Sequence, residues 1–398
     1  MIKQAVILVG GKGSRLGELT KKTPKPLLDI NGTRFLDILI QQLIPLNFQT
    51  IFLCAGYKGS KIKNLYHNKN FFLSKIKVII EKKPLDTGGS IAQLKNKINS
   101  DFLLINGDSY LDTNFYELIN KKNYKIKNPK IGQMFLIKNY NYKSNSKLSN
   151  LKLIQNNIVQ LAKNSNFMNS GVYIFKKTIF NYLKKKPSSL ENDVLTNLIL
   201  KKKIYGKKIK NKIFDIGTPK NLVNFKKYYK RITNSRKCMF LDRDGVINEH
   251  SGYVTKYKQF KVKPKILKII KKLNKRKILI IVITNQSAIA RGMMTEEDLK
   301  YIHYKFLLEL NLNYNSFVNN LYYCPYLKNA KIKKYRKISN LRKPNPGMLL
   351  KALKYYSLNK KNCIFIGDQK SDKIASSKAN IKFYHIKNIK NAISEINN

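Results

Sequence analysis

Short apolar runs alternate with longer helix-like stretches along this chain, in two successive series. The first series predicts strands at 5–9, 50–54, 76–80, 101–105, 131–137 and 170–175, with helices at 35–46, 88–98, 114–122, 191–202 and 219–230. The second predicts strands near 237–241, 278–283, 317–323, 362–366 and 382–386, with helices near 264–276, 295–309, 346–356 and 371–379. Such alternation is typical of a mainly parallel, doubly wound sheet. The pattern predicts two α/β domains, 1–232 and 233–398, joined at the polar stretch 230–237.

The composition fits a cytoplasmic protein with two cores. A chain of 398 residues with 43% hydrophobic residues is long enough for more than one domain. Its four cysteines are scattered, without the paired spacing of a disulfide framework. The longest apolar run, 278–283, is far shorter than the ~20 residues that span a bilayer. We therefore expect a soluble, cytoplasmic chain without a membrane partner.

The charge of the chain is strongly positive, with a formal net charge of +57. Such a charge is compatible with nucleic-acid binding. Lysine is however spread along the whole sequence, and only nine of the 79 basic residues are arginine. We attribute the excess to lysine and asparagine enrichment from an AT-rich genome and expect no specific nucleic-acid partner. A basic nucleic-acid-binding protein built on decayed enzyme folds is the non-enzymatic alternative.

A glycine-rich turn follows the first predicted strand, with Gly10, Gly11 and Gly13 in the string AVILVGGKGSRL. Glycine lets the backbone approach a phosphate chain closely and leaves its N–H donors accessible. Arg15 and Lys25 supply the positive charge that a triphosphate needs. The segment thus predicts a phosphate-binding loop.

The complete string, GGKGSRL followed by PKP at 24–26, resembles the sugar-phosphate nucleotidyltransferases. The resemblance implies a Rossmann-like, GT-A-like fold and attack of a sugar 1-phosphate on the α-phosphorus of a nucleoside triphosphate. It implies that Asp108 and Asp215 hold Mg²⁺, and that Arg15 and Lys25 act in catalysis. The substrate-binding positions that it implies are Gly10, Gly11, Gly13, Gly88, Gly89, Lys163, Asn169, Gly171 and Glu191. Three residues depart from the family pattern: Ser14, Asp86 and Ala162.

Two carboxylates follow the first strand of the second series, in FLDRDGVIN at 240–248. Asp242 and Asp244 stand at i and i+2, so a strand places both on one face. This arrangement suits a nucleophile beside a general acid/base. IVITNQS (281–287), RKPNPG (342–347) and IGDQKSD (366–372) follow in order at α/β spacing.

These four motifs resemble the haloacid dehalogenase (HAD)-type phosphatases, which implies a HAD-like Rossmannoid fold. The resemblance implies that Asp242 attacks phosphorus and that Asp244 protonates the leaving group and then activates water. Mg²⁺ is then held by the Asp242 carboxylate, the Asp244 backbone carbonyl and Asp368. The other catalytic residues implied are Thr284, Asn285 and Lys343, with Arg291 and Arg342 for substrate and Asp372 outside the metal shell.

Finer similarity connects the C-terminal half with heptose bisphosphate phosphatases and histidinol phosphatases, through TNQSAIARGMMTEEDL and LRKPNPGML. Many of those enzymes bind a structural zinc in the region 324–341. Cys324 is present here, but Tyr326, Ser339 and Leu341 occupy the other ligand positions. One thiol cannot hold tetrahedral zinc, so we expect the zinc site to be absent.

The two resemblances fit one pathway. The N-terminal half resembles heptose-1-phosphate guanylyltransferases in PLDTGGS and CAGYKGSKI. We expect removal of the 7-phosphate from a heptose 1,7-bisphosphate, followed by nucleotidyl transfer, with GTP as the expected donor, to the heptose 1-phosphate. A histidinol-type or other sugar phosphatase fused to a mannose or hexose nucleotidyltransferase remains the alternative.

Overall fold

A computed structural model describes residues 2–119, 126, 129–138, 148, 150–162, 165, 167–250 and 252–397. The chain divides into two compact units, Met1–Leu43 with Phe48–Lys227 and Ile44–Asn47 with Tyr228–Asn398. The predicted domain boundary between 232 and 233 stays a prediction.

The first unit contains fourteen strands among its described residues. They are β1 Gln4–Leu8, β2 Asp29–Ile30, β3 Thr33–Arg34, β4 Thr50–Ala55, β5 Asn70–Phe71, β6 Ser74–Ile80, β7 Phe102–Asn106, β8 Ser109–Leu111, β9 Gly132–Lys138, β10 Leu151–Ile154, β11 Ile158–Leu161, β12 Phe167–Phe175, β13 Ile204–Ile209 and β14 Ile213–Asp215. The helices are α1 Glu18–Lys22, α2 Phe35–Leu43, α3 Gly59–Tyr66, α4 Asp86–Ala92, α5 Phe115–Ile119, α6 Thr196–Leu200 and α7 Pro219–Asn234, and α7 continues into the second unit.

Ten strands of the first unit form one sheet in the order β10-β11-β13-β9-β12-β7-β1-β4-β6-β5. Strands β7, β1, β4 and β6 are parallel, whereas β12 runs antiparallel to both β7 and β9. The expectation of a mainly parallel sheet is therefore right around β1, whereas beyond β7 the sheet is mixed: β13 runs parallel to β9, and the other pairs are antiparallel. Hydrophobic periodicity identifies a strand but does not reveal its direction.

The second unit has a smaller sheet in the order β17-β16-β15-β18-β19, and every neighbouring pair is parallel. Its strands are β15 Cys238–Leu241, β16 Leu279–Asn285, β17 Asn320–Cys324, β18 Cys363–Gly367 and β19 Lys382–His385. Its helices are α8 Pro264–Lys275, α9 Glu296–Tyr314, α10 Gly347–Tyr356, α11 Lys370–Lys378 and α12 Ile389–Asn397. All four residues of β15 are buried, as expected for a strand covered on both faces.

Both sheets place a central strand between neighbours that lead away in opposite directions: β1 lies between β4 and β7, and β15 between β16 and β18. Ligands of open α/β sheets bind outside the carboxyl ends of the strands at such a point. The loop 9–13 leaves β1 there, and Asp242 follows β15. The fold thus places both sequence motifs at the expected end of a sheet.

Two predicted boundaries are wrong. The helix predicted at 219–230 extends to Asn234, into the polar stretch 230–237. Within this extension Thr233 is buried, and its hydroxyl donates to the Tyr229 carbonyl at 2.9 Å. The helix expected at 88–98 spans only Asp86–Ala92.

Two candidate active sites

The glycine loop turns tightly after β1. Gly13 has a φ of 68°, in the left-handed region that favours glycine. A Cβ at Gly13 would lie 3.1 Å from Thr20 Cγ2 and 3.3 Å from Lys25 Cβ. The Gly13 carbonyl accepts from the Leu16 amide at 2.9 Å and from the Thr20 hydroxyl at 3.1 Å. The loop is therefore held from both sides, and a side chain at Gly13 would disturb Lys25.

Lys25 connects the two predicted metal ligands of the first site. Its buried ammonium group donates to Asp108 Oδ2 at 2.9 Å and lies 3.6 Å from Asp215 Oδ1. Partial removal from water acts to raise the pKa of Asp108, but Lys25 and the Ser109 hydroxyl outweigh it and lower that pKa. Asp108 is thereby kept ionised. A pair of carboxylates beside a triphosphate is the donor set that Mg²⁺ prefers, so these residues fit the ion.

A cleft of about 460 Å³ joins the glycine loop to this pair. Gly10, Gly11, Gly13, Arg15, Lys25, Asp108 and Glu191 line it, as the motifs predicted. Asp215 Oδ1 accepts from the Gly217 amide at 2.7 Å, and Gly217 also lines the cleft. The structure therefore brings the predicted phosphate loop, cations and carboxylates together.

The segment 81–90 forms another wall of this cleft. Asp86 has a φ of 56°, which explains why glycine is common at this position in the family. Its Oδ1 accepts from the Thr87 amide at 2.7 Å, a local bond that helps aspartate tolerate this conformation. The Thr87 hydroxyl donates to Glu191 Oε2 at 3.1 Å, and burial raises the pKa of Glu191.

Four predicted substrate-binding residues lie elsewhere. Gly88 and Gly89 donate to the Ser188 carbonyl at 2.8 and 3.3 Å, and a Cβ at Gly89 would lie 2.4 Å from the Lys186 carbonyl oxygen. These two glycines therefore allow close backbone packing, and their assignment to substrate stays a prediction. Asn169 pairs with the Tyr173 hydroxyl, and Gly171 lies against Asn106, which lines the cleft. Lys163 lies outside the described residues.

In the second unit, Asp242 follows β15 and is almost fully buried. Lys343 Nζ lies 2.7 Å from Asp242 Oδ1 and 2.6 Å from Asp372 Oδ1. Burial raises the pKa of Asp242 to about 7, against the opposing effect of Lys343. Asn285 holds Lys343 in place, because its amide group exchanges hydrogen bonds of 3.0 and 3.1 Å with the Lys343 backbone.

Asp242, Asp368 and Asp372 form a carboxylate cluster whose ligand atoms lie within 4.8 Å of one another. Asp368 Oδ1 is buried and has no hydrogen-bond partner among the described residues, so an acceptor is left available. Gly245 makes room for this carboxylate, because a Cβ there would lie 2.1 Å from Asp368 Oδ2. The cluster fits a magnesium ion. Asp372 Oδ2 already accepts from the Asp368 and Gln369 amides, consistent with its predicted place outside the metal shell.

The Asp244 carboxylate is not a member of this cluster and accepts hydrogen bonds from three other side chains. Arg243 donates to it through Nε at 3.1 Å and through Nη2 at 2.8 and 3.0 Å. Asn248 Nδ2 and Gln286 Nε2 add bonds of 3.0 and 2.8 Å. Burial acts to raise the pKa of Asp244, but these donors, Arg243 first, lower it. The carboxylate is therefore occupied by these donors, and a metal contact through the Asp244 backbone carbonyl stays a prediction.

Of the remaining predicted residues of this site, Thr284 lies in the cleft and Arg291 contacts its wall, whereas Arg342 is bonded to a loop. Thr284 is buried in the cleft, of about 440 Å³, and its hydroxyl accepts from Gln286 Nε2 at 2.8 Å. Arg291 stacks on Tyr253, a residue of the cleft wall, with 5.5 Å between its Cζ and the ring centroid. Arg342 instead donates to the Tyr326 carbonyl at 3.3 Å. This contact stabilises the 326–342 loop and leaves its assignment to substrate unsupported.

The loop 324–341 does not fit zinc. Cys324 is buried, while the other three expected ligand positions hold Tyr326, Ser339 and Leu341. Tyrosine hydroxyls fasten this region instead: Tyr323 and Tyr335 both donate to the Glu296 carboxylate at 2.7 Å. Hydrogen bonds to a charged acceptor are strong, so Glu296 on α9 holds this region through the two tyrosines.

Three residues of these sites were missed by sequence reasoning. Glu81 lines the first cleft, with Oε1 beside Gly10 and Oε2 accepting from the Leu85 amide at 3.0 Å. Arg243 lies inside the DRDG motif, which by itself assigns it no role, and His303 on α9 contacts it at 3.2 Å. The rarity of arginine was a usable signal for Arg243. For His303 the sequence carried none, because the contact spans 60 residues.

Among the described residues, no helix is both long and apolar enough to cross a membrane. Residues 4–231 match the family model described as Nucleotidyl transferase, and residues 237–393 match the one described as Polynucleotide kinase 3 phosphatase.

Curated relatives match the two halves separately. The chain is 30% identical over 234 residues to the bifunctional protein GlmU of Methanococcus vannielii, covering 56% of this chain but only 54%, about half, of that relative. It is 28% identical to D-glycero-alpha-D-manno-heptose 1-phosphate guanylyltransferase of Campylobacter jejuni, covering 56% of this chain and 98% of that protein. It is 36% identical to D-glycero-beta-D-manno-heptose-1,7-bisphosphate 7-phosphatase of Rhodopseudomonas palustris, covering 37% of this chain and 81% of that protein. Over its N-terminal half the chain therefore belongs to the nucleotidyl transferase family, and its C-terminal part belongs to the heptose-bisphosphate phosphatase family.

Proposed function

We propose that this chain carries out two consecutive steps of activated-heptose synthesis. The C-terminal site removes the 7-phosphate from D-glycero-D-manno-heptose 1,7-bisphosphate. The N-terminal site then joins the resulting heptose 1-phosphate to GMP from GTP and releases pyrophosphate. The observation that carries the phosphatase step is the buried Asp242–Lys343–Asp372 arrangement, and Lys25 between Asp108 and Asp215 carries the transferase step.

In the phosphatase step, an Asp242 oxygen attacks phosphorus, the ester P–O bond breaks and an aspartyl phosphate forms. Lys343 and Thr284 stabilise the negative charge on the phosphoryl oxygens. Asp244 gives a proton to the leaving alkoxide, then takes one from the water that hydrolyses the aspartyl phosphate. Mg²⁺, held by Asp242, Asp368 and the Asp244 carbonyl, supplies further neutralisation of the phosphoryl charge when bound.

Asp244 is ionised in the substrate-free arrangement, because its donors lower its pKa. It must therefore gain a proton before it can act as an acid. The phosphate dianion that enters the cleft brings negative charge close to Asp244, and a like charge raises the pKa of a carboxyl group. Substrate binding thus favours the protonated form that the first step requires.

In the transferase step, an oxygen of heptose 1-phosphate attacks the α-phosphorus of the nucleotide, and the bond to the pyrophosphate oxygen breaks. Little covalent work falls to the protein, which positions two anions and offsets their repulsion. Arg15 and Lys25 supply the side-chain cations, and the glycine loop contributes backbone donors. Asp108 and Asp215 would hold Mg²⁺, which would supply further neutralisation of the phosphate charge.

The chemistry of Glu81 supports guanine as the base. A carboxylate is purely an acceptor, and guanine presents two adjacent donors, N1–H and N2–H₂. Uracil, thymine and adenine each present a single donor group flanked by acceptors on the corresponding edge. The Leu85 amide fixes Glu81 Oε2, and Oε1 lies close to Gly10 of the glycine loop, so the carboxylate is held in the wall of the cleft.

The two steps share one anomer only if both sites accept it. The guanylyltransferase relative is named for the α anomer and the phosphatase relative for the β anomer. Both anomers of the bisphosphate must therefore be tested. The full chain is incubated with Mg²⁺, GTP and each anomer, and the products are followed by mass. GDP-heptose with release of phosphate and pyrophosphate is the expected result.

Two variants separate the sites. Asp242→Asn should abolish phosphate release but leave transfer to supplied heptose 1-phosphate intact. Lys25→Met should do the reverse. If either variant removed both activities while remaining folded, two independent sites would be the wrong description.

A further inference from the structure

Arg243 is a buried cation, with 1% of its surface exposed, in the middle of the DRDG motif. Its Nε and Nη2 atoms donate hydrogen bonds to the Asp244 carboxylate, and its Cζ lies 5.5 Å from the Phe260 ring centroid. Its Nη1 atom lies 3.2 Å from His303 Nε2. Arginine only donates, so His303 Nε2 must be the acceptor and the imidazole must be neutral. Burial and Arg243 both lower the pKa of His303, which agrees with this state.

Stability does not explain this arrangement. Taking a guanidinium out of water is costly, and well-packed apolar residues often replace buried ion pairs without loss of stability. What the arrangement does achieve is orientation. The Nε and Nη2 donors of Arg243 fix the plane of the Asp244 carboxylate. His303 and the Phe260 ring in turn fix the guanidinium group of Arg243. Without His303, one Nη1 N–H group would be buried without this acceptor, which favours a reoriented Arg243 side chain.

We propose that His303 is a positioning residue of the phosphatase, which acts through Arg243 to aim the Asp244 carboxylate for its proton transfers. The inference rests on the phosphatase function proposed above. His303 itself touches neither the reacting phosphate nor the leaving group.

The choice of leaving group separates the acid role of Asp244 from the other steps of the reaction. When an alkyl phosphate is cleaved, the P–O bond breaks to an alkoxide that needs the proton of Asp244. When 4-nitrophenyl phosphate is cleaved, the leaving phenolate is stable without a proton. The first turnover therefore depends on Asp244 as an acid only for the alkyl ester. Later turnovers depend on Asp244 as a base for both esters, so the first turnover is the informative one.

The experiment compares the full-length wild-type protein with His303→Asn and His303→Gln, with Mg²⁺ present. Rapid-quench measurements give the first-turnover rate for 4-nitrophenyl phosphate and for the fastest alkyl ester in a sugar-phosphate panel that includes the heptose bisphosphate. Asparagine is polar but too short to reach Arg243, whereas the glutamine oxygen can replace Nε2. Leu310→Ala serves as the packing control, because Leu310 is buried on the same helix as His303, α9, and forms none of the Arg243 contacts described above.

We expect His303→Asn to lower the alkyl first-turnover rate by about 10- to 100-fold, part of the ~10²–10⁴-fold that general acid–base catalysis contributes. The rate on 4-nitrophenyl phosphate should change by less than about 3-fold, and His303→Gln should restore most of the alkyl rate. Leu310→Ala should affect both esters alike.

Equal losses on both esters, or equal rates for the asparagine and glutamine variants, would overturn the positioning role. An unchanged alkyl rate in His303→Asn would overturn it as well. A wild-type protein that cleaved no ester at all would instead remove the phosphatase function on which the inference rests.

Discussion

Replacement of Lys343 by methionine removes a buried cation that faces two buried carboxylates. Lys343 and Asp242 are 4% and 5% exposed and Asp372 is fully buried, so solvent cannot compensate for the lost charge. Breaking a buried ion pair by removing one partner costs about 3–5 kcal/mol. We expect Lys343→Met to reduce the stability of the second unit by that amount at about pH 8 with chelator present, because Asp242 is then driven towards ionisation without its cation.

The loss should shrink as the pH falls. The pKa of Asp242 is raised from 3.8 to about 7 even with Lys343 present, and it should rise further without it. A raised folded-state pKa gives stability that is present below the unfolded value and is lost as the pH rises through the folded value. At about pH 5 the Asp242 carboxyl group is largely protonated in the variant, and the difference from wild type should fall below about 2 kcal/mol.

Hydrogen exchange in urea, read by mass spectrometry, can measure this change within the intact chain. Peptides from β15 and β18 report the second unit, and peptides from β1 and β4 in the first unit serve as an internal reference. The double variant Lys343→Met/Asp372→Asn should recover at least about half of the loss, since one buried charge is removed with its partner. A loss below about 1 kcal/mol at about pH 8, or one independent of pH, would refute the reasoning.

Three further results are expected. Glu81→Gln should lower kcat/KM for GTP by about 10- to 100-fold and raise it for UTP, because an amide presents one acceptor and one donor, as the uracil edge requires. Nucleotide competition assays measure this selectivity, and they would show no change if the base lies elsewhere. Gly245→Ala should displace Asp368 and thereby weaken Mg²⁺ binding, measured by titration calorimetry. Gly252→Ala should leave Mg²⁺ binding unchanged, because Gly252 has a similar positive φ but open space around it. Equal effects of the two variants would mean that backbone strain alone is responsible. Elemental analysis should find less than about 0.1 zinc per chain, and Tyr335→Phe should increase hydrogen exchange in the loop 324–341; stoichiometric zinc would contradict the fit described above.

The reactive groups could be predicted because they belong to contiguous motifs. Asp242, Lys343 and Asp368 come from three separate segments, yet each follows a strand end or opens a helix of a recognisable α/β pattern. Since the carboxyl ends of parallel strands meet at one edge, order along the chain was enough to bring them together. The same reasoning joined Lys25 to Asp108 across 83 residues.

The sequence could not predict the contacts that some motif residues make within the fold. Gly88 and Gly89 carry the family motif, but only the close approach of the backbone at 186–188 explains why they are glycine. Arg342 lies next to Lys343, yet its side chain leaves the cleft for a loop carbonyl. Neighbours in sequence point in different directions, and no periodicity predicts which of them reaches a ligand.

The sequence by itself determined the two α/β domains, the phosphate loop, the DRDG nucleophile motif and the loss of three zinc ligands, because these depend on residue types at fixed local spacing. Only the tertiary structure decided the mixed half of the first sheet, the burial of Lys343 between two carboxylates, the position of Glu81 in the cleft and the path from His303 through Arg243 to Asp244. Those features depend on distances between atoms that are remote along the chain, and such distances are set by packing rather than by local pattern.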